Sequence, residues 1–356
     1  MCSSDLWDIG DDGTYTVTMQ ASQVADTSGN FVAAGTLGTF SVTVPSSATR
    51  LAFAVQPKSA IAGATLSPAI TISVLDSKGH LVTNDNSSVT IAIASGPAGA
   101  SLSGTLTVPV HNGLAIFSDL SLTKAGKYTL RATDGSLKSA LSNAFTIKPA
   151  AATAQLTLLQ APADATVGRT SEGPLTVAVT DAFGNIIPSN HSQVTLSIVG
   201  GNSSVPAFTG TSTLTFNNGK ATFGNLKFLT PGLFTLQLTD LSLPNPQPLQ
   251  TTQTVVPAVT SVSKPPLAAS YKSTQTFTLT ATLKSTAPAS IPFTGTATLL
   301  DENNVPLATA TVSPLGITKF ALSSLSVGIR QCHISYPGDA NHSSADSPLF
   351  TLTIVA

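Results

Sequence analysis

A chain of 356 residues with 16 basic and 17 acidic side chains carries a formal charge of -1, too little positive field to gather phosphates, so nucleic acid is excluded as a partner. Only 9% of residues are charged while 42% are hydrophobic and Ser with Thr add roughly a quarter, the balance that strands alternating apolar and hydroxyl side chains produce. No run of about 18 uninterrupted apolar residues occurs, so no membrane-spanning helix is expected, and the length calls for about two to four domains.

Along the chain, Met1-Cys2-Ser3-Ser4-Asp5-Leu6 matches the translation of a sequencing-adapter string and is read as non-native. On that reading the frame is truncated, a secretion signal is missing from view, and Cys2 drops out of the cysteine count. Cys332 is then a lone thiol, which fits a bacterial surface protein built without disulfides. Gly13-Thr14-Tyr15-Thr16-Val17 and Phe40-Ser41-Val42-Thr43-Val44 resemble closing strands found later in the chain. Residues 1–47 are therefore expected to be the C-terminal part of a truncated domain.

The middle of the chain repeats itself. Val74-Leu75-Asp76-Ser77-Lys78-Gly79-His80 returns 105 residues later as Val179-Thr180-Asp181-Ala182-Phe183-Gly184-Asn185, and Val89 to Ile93 returns as Val194 to Ile198. Asn112-Gly113 and Gly126-Lys127-Tyr128-Thr129-Leu130 return 106 residues later as Asn218-Gly219 and Gly232-Leu233-Phe234-Thr235-Leu236. One inserted residue in a hundred means two copies of one domain, 48–149 and 150–256, with the insertion in a loop. Each copy alternates with period two, and each Asn-Gly sits between alternating runs as a two-residue hairpin turn. Tyr15, Tyr128 and Phe234 hold equivalent positions, as a core or tyrosine-corner residue on a late strand would. Pro or Gly interrupts nearly every long window, so almost no helix is expected. Residues 257–356 form a fourth unit, in which Phe293-Thr294-Gly295-Thr296 echoes Phe208-Thr209-Gly210-Thr211. The fold class is all-β: tandem immunoglobulin-like β-sandwiches arranged as beads on a string, the first one truncated. Prolines in Val44-Pro45-Ser46-Ser47-Ala48 and Lys148-Pro149-Ala150-Ala151-Ala152 keep those linkers extended.

The two central units resemble the bacterial immunoglobulin-like repeats of large surface and secreted proteins, including adhesins of the invasin and intimin type. The resemblance rests on the Asp-x-x-Gly-(Asn/His) turn at Asp76 and Asp181 and on Asn-Gly-x-Ala-x-Phe at Asn112 and Asn218. The fourth unit resembles a related repeat class through Ser335-Tyr336-Pro337-Gly338-Asp339-Ala340-Asn341. His80 departs from the Asn usual at its turn. Such repeats serve as stalks, adhesive tips and spacers between catalytic modules, so the resemblance implies a fold and no activity.

The chemical inventory is thin. Glu172 and Glu302, the only glutamates, fall in different domains and offer no carboxylate pair for glycoside hydrolysis. No Gly-x-Ser-x-Gly elbow occurs, and His80, His111, His191, His333 and His342 fall near turns or strand ends, where solvated loop positions are expected. Asp26-Thr27-Ser28-Gly29 reads as a turn. Cys332 and His333 are adjacent and point to opposite faces of a strand, against zinc. Asp339, Asn341 and Asp346 offer three oxygen side chains within eight residues and are the calcium candidate; Asp11, Asp12, Asp26 and Asn30 are a weaker second. No other cofactor is expected. Aromatics are sparse, and Trp7, the only tryptophan, makes a poor sugar platform. A Lys–Asn crosslink beside Glu172 and glycosylation at Asn86, Asn202 or Asn341 find no further support. The expected role is a noncatalytic extracellular stalk or adhesion segment of a larger bacterial surface or secreted protein. Its partners would be neighbouring Ig-like domains and a cell-surface glycan or protein. The alternatives are a glycan- or protein-binding module, or a spacer in a secreted hydrolase.

Overall fold

The computed structural model describes residues 11, 13–42, 46–201, 208–288 and 290–356. Met1 to Leu6, Trp7, Asp12, Val44-Pro45 and Asn202-Ser203-Ser204 lie outside them. The chain divides into two compact units, Met1–Pro149 and Ala150–Ala356.

The first unit opens with an antiparallel pair, β1 (Gly13–Met19) and β2 (Gly35–Val42). A sandwich follows, built in chain order from β3 (Arg50–Val55), β4 (Ala60–Ile61), β5 (Ile70–Leu75), β6 (Ser88–Ser95), β7 (Leu102–Ser103), β8 (Thr107–Pro109), β9 (Leu114–Phe117), β10 (Ser121–Leu122), β11 (Gly126–Thr133), β12 (Ala140–Leu141) and β13 (Phe145–Lys148). One sheet is β3-β5-β9; the other runs β4-β13-β11-β6-β8, with β12 beside β11 and a small β7–β10 ribbon. Alternation aims Ile70, Ile72 and Val74 from the first sheet, and Tyr128, Leu130 and Ala132 from the second, into one core, each 0% exposed. Burying each large apolar side chain contributes about 1.5–3 kcal/mol.

The second unit holds two more sandwiches. The first comprises β14 (Gln155–Gln160), β15 (Ala165–Thr166), β16 (Leu175–Thr180), β17 (Gln193–Gly200), β18 (Phe208–Thr209), β19 (Thr213–Thr215), β20 (Lys220–Phe223), β21 (Lys227–Phe228), β22 (Gly232–Thr239) and β23 (Leu249–Val256). The next comprises β24 (Thr260–Val262), β25 (Tyr271–Lys272), β26 (Phe277–Ser285), β27 (Thr296–Leu300), β28 (Pro306–Thr311), β29 (Ile317–Leu322), β30 (Gly328–Tyr336), β31 (Ala345–Asp346) and β32 (Phe350–Val355). Their sheets are β14-β16-β20 with β15-β23-β22-β17-β19, and β24-β26-β29 with β25-β32-β30-β27-β28. Each sandwich has its own core. The fold is all-β, in tandem immunoglobulin-like sandwiches.

Local chemistry explains the recurrence. Pro57, Pro162 and Pro265 follow the leading strands β3, β14 and β24, and a residue without an N–H cannot extend the ladder. The chain there crosses to the other sheet, where β4, β15 and β25 run parallel to the closing strands through Ala60↔Ile147, Ala165↔Val255 and Tyr271↔Ile354. The two Asn-Gly turns form as expected: Asn112 and Gly113 have φ of 50° and 79°, Asn218 and Gly219 of 49° and 71°. The extra residue of the second copy falls after β17, because β6 and β17 are offset by 105 and β7 and β18 by 106. Exposed faces use hydroxyls instead of charges. Thr90–Thr107, Thr195–Thr213 and Thr298–Thr309 are hydrogen-bonded across the same strand pair of all three sandwiches, at 2.8, 3.2 and 3.3 Å. That accounts for a 9% charged composition without bare polar surface.

One sequence echo is not a structural equivalence. Phe208-Thr209 follows β17, whereas Phe293-Thr294 precedes β27, the counterpart of β17. Both segments need glycine next, with φ of 124° at Gly210 and 85° at Gly295, and that shared turn chemistry produces the likeness.

Candidate functional site

The aspartates of the Asp-x-x-Gly turns face inward on their own loops. Asp26, Asp76 and Asp181 each accept a hydrogen bond from the backbone N–H four residues on, at 2.9, 2.8 and 2.9 Å, and Asp301, in a turn with Asn304 in place of the glycine, does the same at 2.8 Å. His80 keeps the turn that Asn makes elsewhere, donating its N–H to Asp76 Oδ1 and placing Nδ1 3.3 Å from Oδ2. At Asp181 burial pulls the carboxyl upward, but hydrogen bonds from Ala150, Asn185 and Phe183 outweigh it and hold the group below its usual range. These are structural turns; Asp26 and Asn30 of the weaker calcium candidate form one of them.

The densest polar cluster lies in the third sandwich, on the loop after β30. Asp339 Oδ1 accepts from the backbone N–H groups of Asn341 and His342 at 2.8 and 2.9 Å, and from His342 Nδ1 at 2.9 Å. Its Oδ2 accepts from Thr294 N at 2.9 Å, Thr294 Oγ1 at 3.1 Å and Tyr336 Oη at 2.9 Å. Burial alone would raise this carboxyl, yet the hydrogen bonds bring it down to about 2. Burial, and then the acceptor Asp339, push the Tyr336 phenol upward. The His342 ring is fully buried and stacks on Phe293 at 4.1 Å. This corrects the expectation of a solvated loop histidine, because Phe293 and Thr294, from the segment ahead of β27, supply the cover. His80, His111 and His191 are exposed, and His333 is half-buried within β30.

Of the calcium candidates, Asp339 and Asn341 share this loop, while Asp346 is exposed on β31, whose backbone pairs with Ser335 and Tyr336. Both Asp339 oxygens are occupied by donors of the chain itself. Among the described residues no group of three His, Cys, Asp or Glu could hold a metal ion. Cys332 is buried, and its thiol is pushed up to about 11 by burial and then by the Glu302 charge, which makes it a poor nucleophile.

A cleft of about 510 Å³ in the second unit is lined by Gly168, Arg169, Thr170, Glu172, Lys227 and Pro288. Thr170 and Lys227 are bridged in the backbone as Thr65 and Ser121 are in the first sandwich, which fixes the correspondence. Arg169, Glu172 and Lys227 thus replace Ala64, Ser67 and Ser121, and the charges belong to the second copy alone. Glu172 and Glu302 stand on different sandwiches, and Glu302 accepts from Gln331 N.

Residues 262–355 match the family model of the bacterial Ig-like domain (group 3). Most of the chain is similar in fold to several solved structures. FdeC, an Escherichia coli adhesin, is 16% identical over 88% of this chain and 100% of its own, with a TM-score of 0.34. Yersinia pseudotuberculosis InvD is 14% identical over 85% and 96%, with a TM-score of 0.33. Extracellular domains 3–5 of Drosophila OTK are 16% identical over 88% and 100%, with a TM-score of 0.29. Among curated proteins none matches the sequence.

The cleft escaped sequence reasoning because Arg169 and Lys227 lie 58 positions apart and meet only through the β-bridge. The signal was available in the repeat itself: aligning the two copies shows three neutral positions turned ionic in the second.

Proposed function

We propose that the chain is a noncatalytic stalk and adhesion segment of a larger bacterial surface or secreted protein, holding a functional end away from the cell. The observation that supports this reading is the join between the second and third sandwiches. Three residues separate β23 from β24, and the middle one, Ala258, is fully buried in the core of the second sandwich. The same residue is bonded to the third: Ala258 N donates to Asn341 O, and Ser343 N donates to Ala258 O, both at 2.9 Å. Gly168 of the second sandwich packs so closely that a Cβ there would lie 2.7 Å from Ile291 of the third. A linker with no free residues passes force and orientation from one sandwich to the next, as a spacer must. The buried Asp339 cluster serves this role by fixing the loop that carries Asn341 and Ser343.

Amide relaxation across residues 150–356 of the whole chain tests the reading. One shared anisotropic tumbling tensor for both sandwiches is the expected result; two independent correlation times would remove the support. A second reading, a glycan- or protein-binding module, is favoured by the cleft, where Arg169 and Lys227 stand with Glu172 and neither cation is in an ion pair among the described residues. Arg169→Gln with Lys227→Gln would then abolish retention on glycan or cell-surface panels while leaving the fold intact.

A further inference from the structure

The charged cleft of the second sandwich does not end at Pro288. That proline also lines an apolar cavity of about 310 Å³ on the third sandwich, together with Leu283, Ala287, Ile291, Pro314 and Leu315. The hollows meet where Gly168, with φ of 73°, lets the sandwiches approach: a Cβ there would lie 2.7 Å from Ile291 Cγ1 and 2.8 Å from Pro288 Cδ. Pro288 thus joins them into one groove, ionic at one end and aliphatic at the other. Its walls are already set. Thr286 N donates to Val259 O and Val259 N to Thr286 Oγ1, both at 3.0 Å, and Ile291 N donates to Pro288 O at 2.9 Å, so binding has little left to order.

Charge complementarity says what the ionic end takes. Arg169 and Lys284 are exposed and Lys227 is half-buried, and none of the three is in an ion pair among the described residues. Glu172 is the one carboxylate of the lining, so the groove carries a positive surplus that attracts an anionic group. The fold does not need these charges, since the first sandwich has Ala64, Ser67 and Ser121 where the second has Arg169, Glu172 and Lys227. The other end selects differently. Leu315 is 76% exposed, and with Pro314 and Ile291 it offers an aliphatic wall that a leucine-sized side chain would cover. A sugar is the wrong occupant. The lone aromatic of the described lining, Phe293, is 7% exposed and stacks on His342, so no ring lies open for the apolar face of a pyranose.

We propose that this groove binds an extended segment of another protein in which an acidic side chain stands near an aliphatic one. The carboxylate reaches Arg169 and Lys227, and the aliphatic group covers Leu315, Ile291 and Pro314. Glu172 accepts a backbone N–H of the same segment. The proposal rests on the second reading above, the binding module, and narrows its partner from a glycan or protein to an acidic, apolar peptide.

The test selects a phage-displayed library of random dodecapeptides on the immobilised whole chain and measures the enriched peptides in solution by fluorescence anisotropy. Sialylated and sulfated oligosaccharides serve as a parallel set of probes. Peptides with Asp or Glu within a few residues of Leu, Ile or Val should be enriched. Arg169→Gln with Lys227→Gln should weaken them at least about ten-fold and flatten the salt dependence of what remains, and Leu315→Asp should weaken them by a similar factor. Thermal unfolding of both variants should match the parent chain, so that lost binding is not lost fold. Binding that depends on the cations but not on Leu315 would overturn the acidic, apolar ligand and keep the binding module. Enrichment of peptides without an acidic residue, or cation-dependent retention of the oligosaccharides in place of peptides, would do the same. No enriched peptide and no retained oligosaccharide would overturn both.

Discussion

The strand pairs β1–β2 and β11–β13 have the same register, the same tyrosine–phenylalanine stack and the same hydroxyl hydrogen bond, yet one is a core and the other a surface. The difference teaches that alternation and backbone pairing specify a ladder locally, while burial is conferred by a sheet supplied from elsewhere. A third closing pair, β30–β32, sharpens the point. There Arg330 stands at the position of Tyr128 and donates from Nη1 to Ser326 O four residues back at 2.9 Å, and the loop beyond is fixed by the polar Asp339 cluster.

Phe145→Ala should cost about 3–5 kcal/mol by urea unfolding of its sandwich, and Phe40→Ala in the 356-residue chain less than about 0.5 kcal/mol; equal costs would mean that β1–β2 is already covered. Asp339→Ala leaves the N–H groups of Thr294, Asn341 and His342 without their acceptor and should cost about 2–4 kcal/mol in the third sandwich. The same carboxyl sets an acid limb. Its folded pKa, about 2, lies below the ordinary value of about 3.9, so its stabilisation is complete above about pH 4 and is lost as pH falls toward 2. The loss should be about 2 kcal/mol, and Asp339→Ala should make the limb shallower by that amount. The smallest effect belongs to Tyr128→Phe, about 1 kcal/mol for the bond to Lys124 O, against no measurable change for Tyr15→Phe. Added calcium should leave all of these values unchanged, because both Asp339 oxygens already have donors; a rise in melting temperature of the third sandwich with calcium would show that the loop opens to take the ion.

Much of the fold was legible in the sequence, because the signals that build it are local. Period-two runs, two Asn-Gly pairs and the repeat offset marked the strands of both central copies, and the step of that offset from 105 to 106 showed the inserted residue. The equivalence of Tyr15, Tyr128 and Phe234 was legible for the same reason. Asp339 was singled out as an oxygen donor, but its role was not, since Thr294 and Phe293 reach it from the other side of β27 through contacts that no short window contains. His342 was misplaced in solvent on the same ground. The repeated Phe-Thr-Gly-Thr string misled because a tetrapeptide records a turn and not a position in the sheet.

Small-angle scattering of the whole chain tests the proposed spacer role most directly. Three and a half units of roughly 35–40 Å each give an expected maximum dimension on the order of 130 Å. A compact particle shorter than about 80 Å would contradict the account.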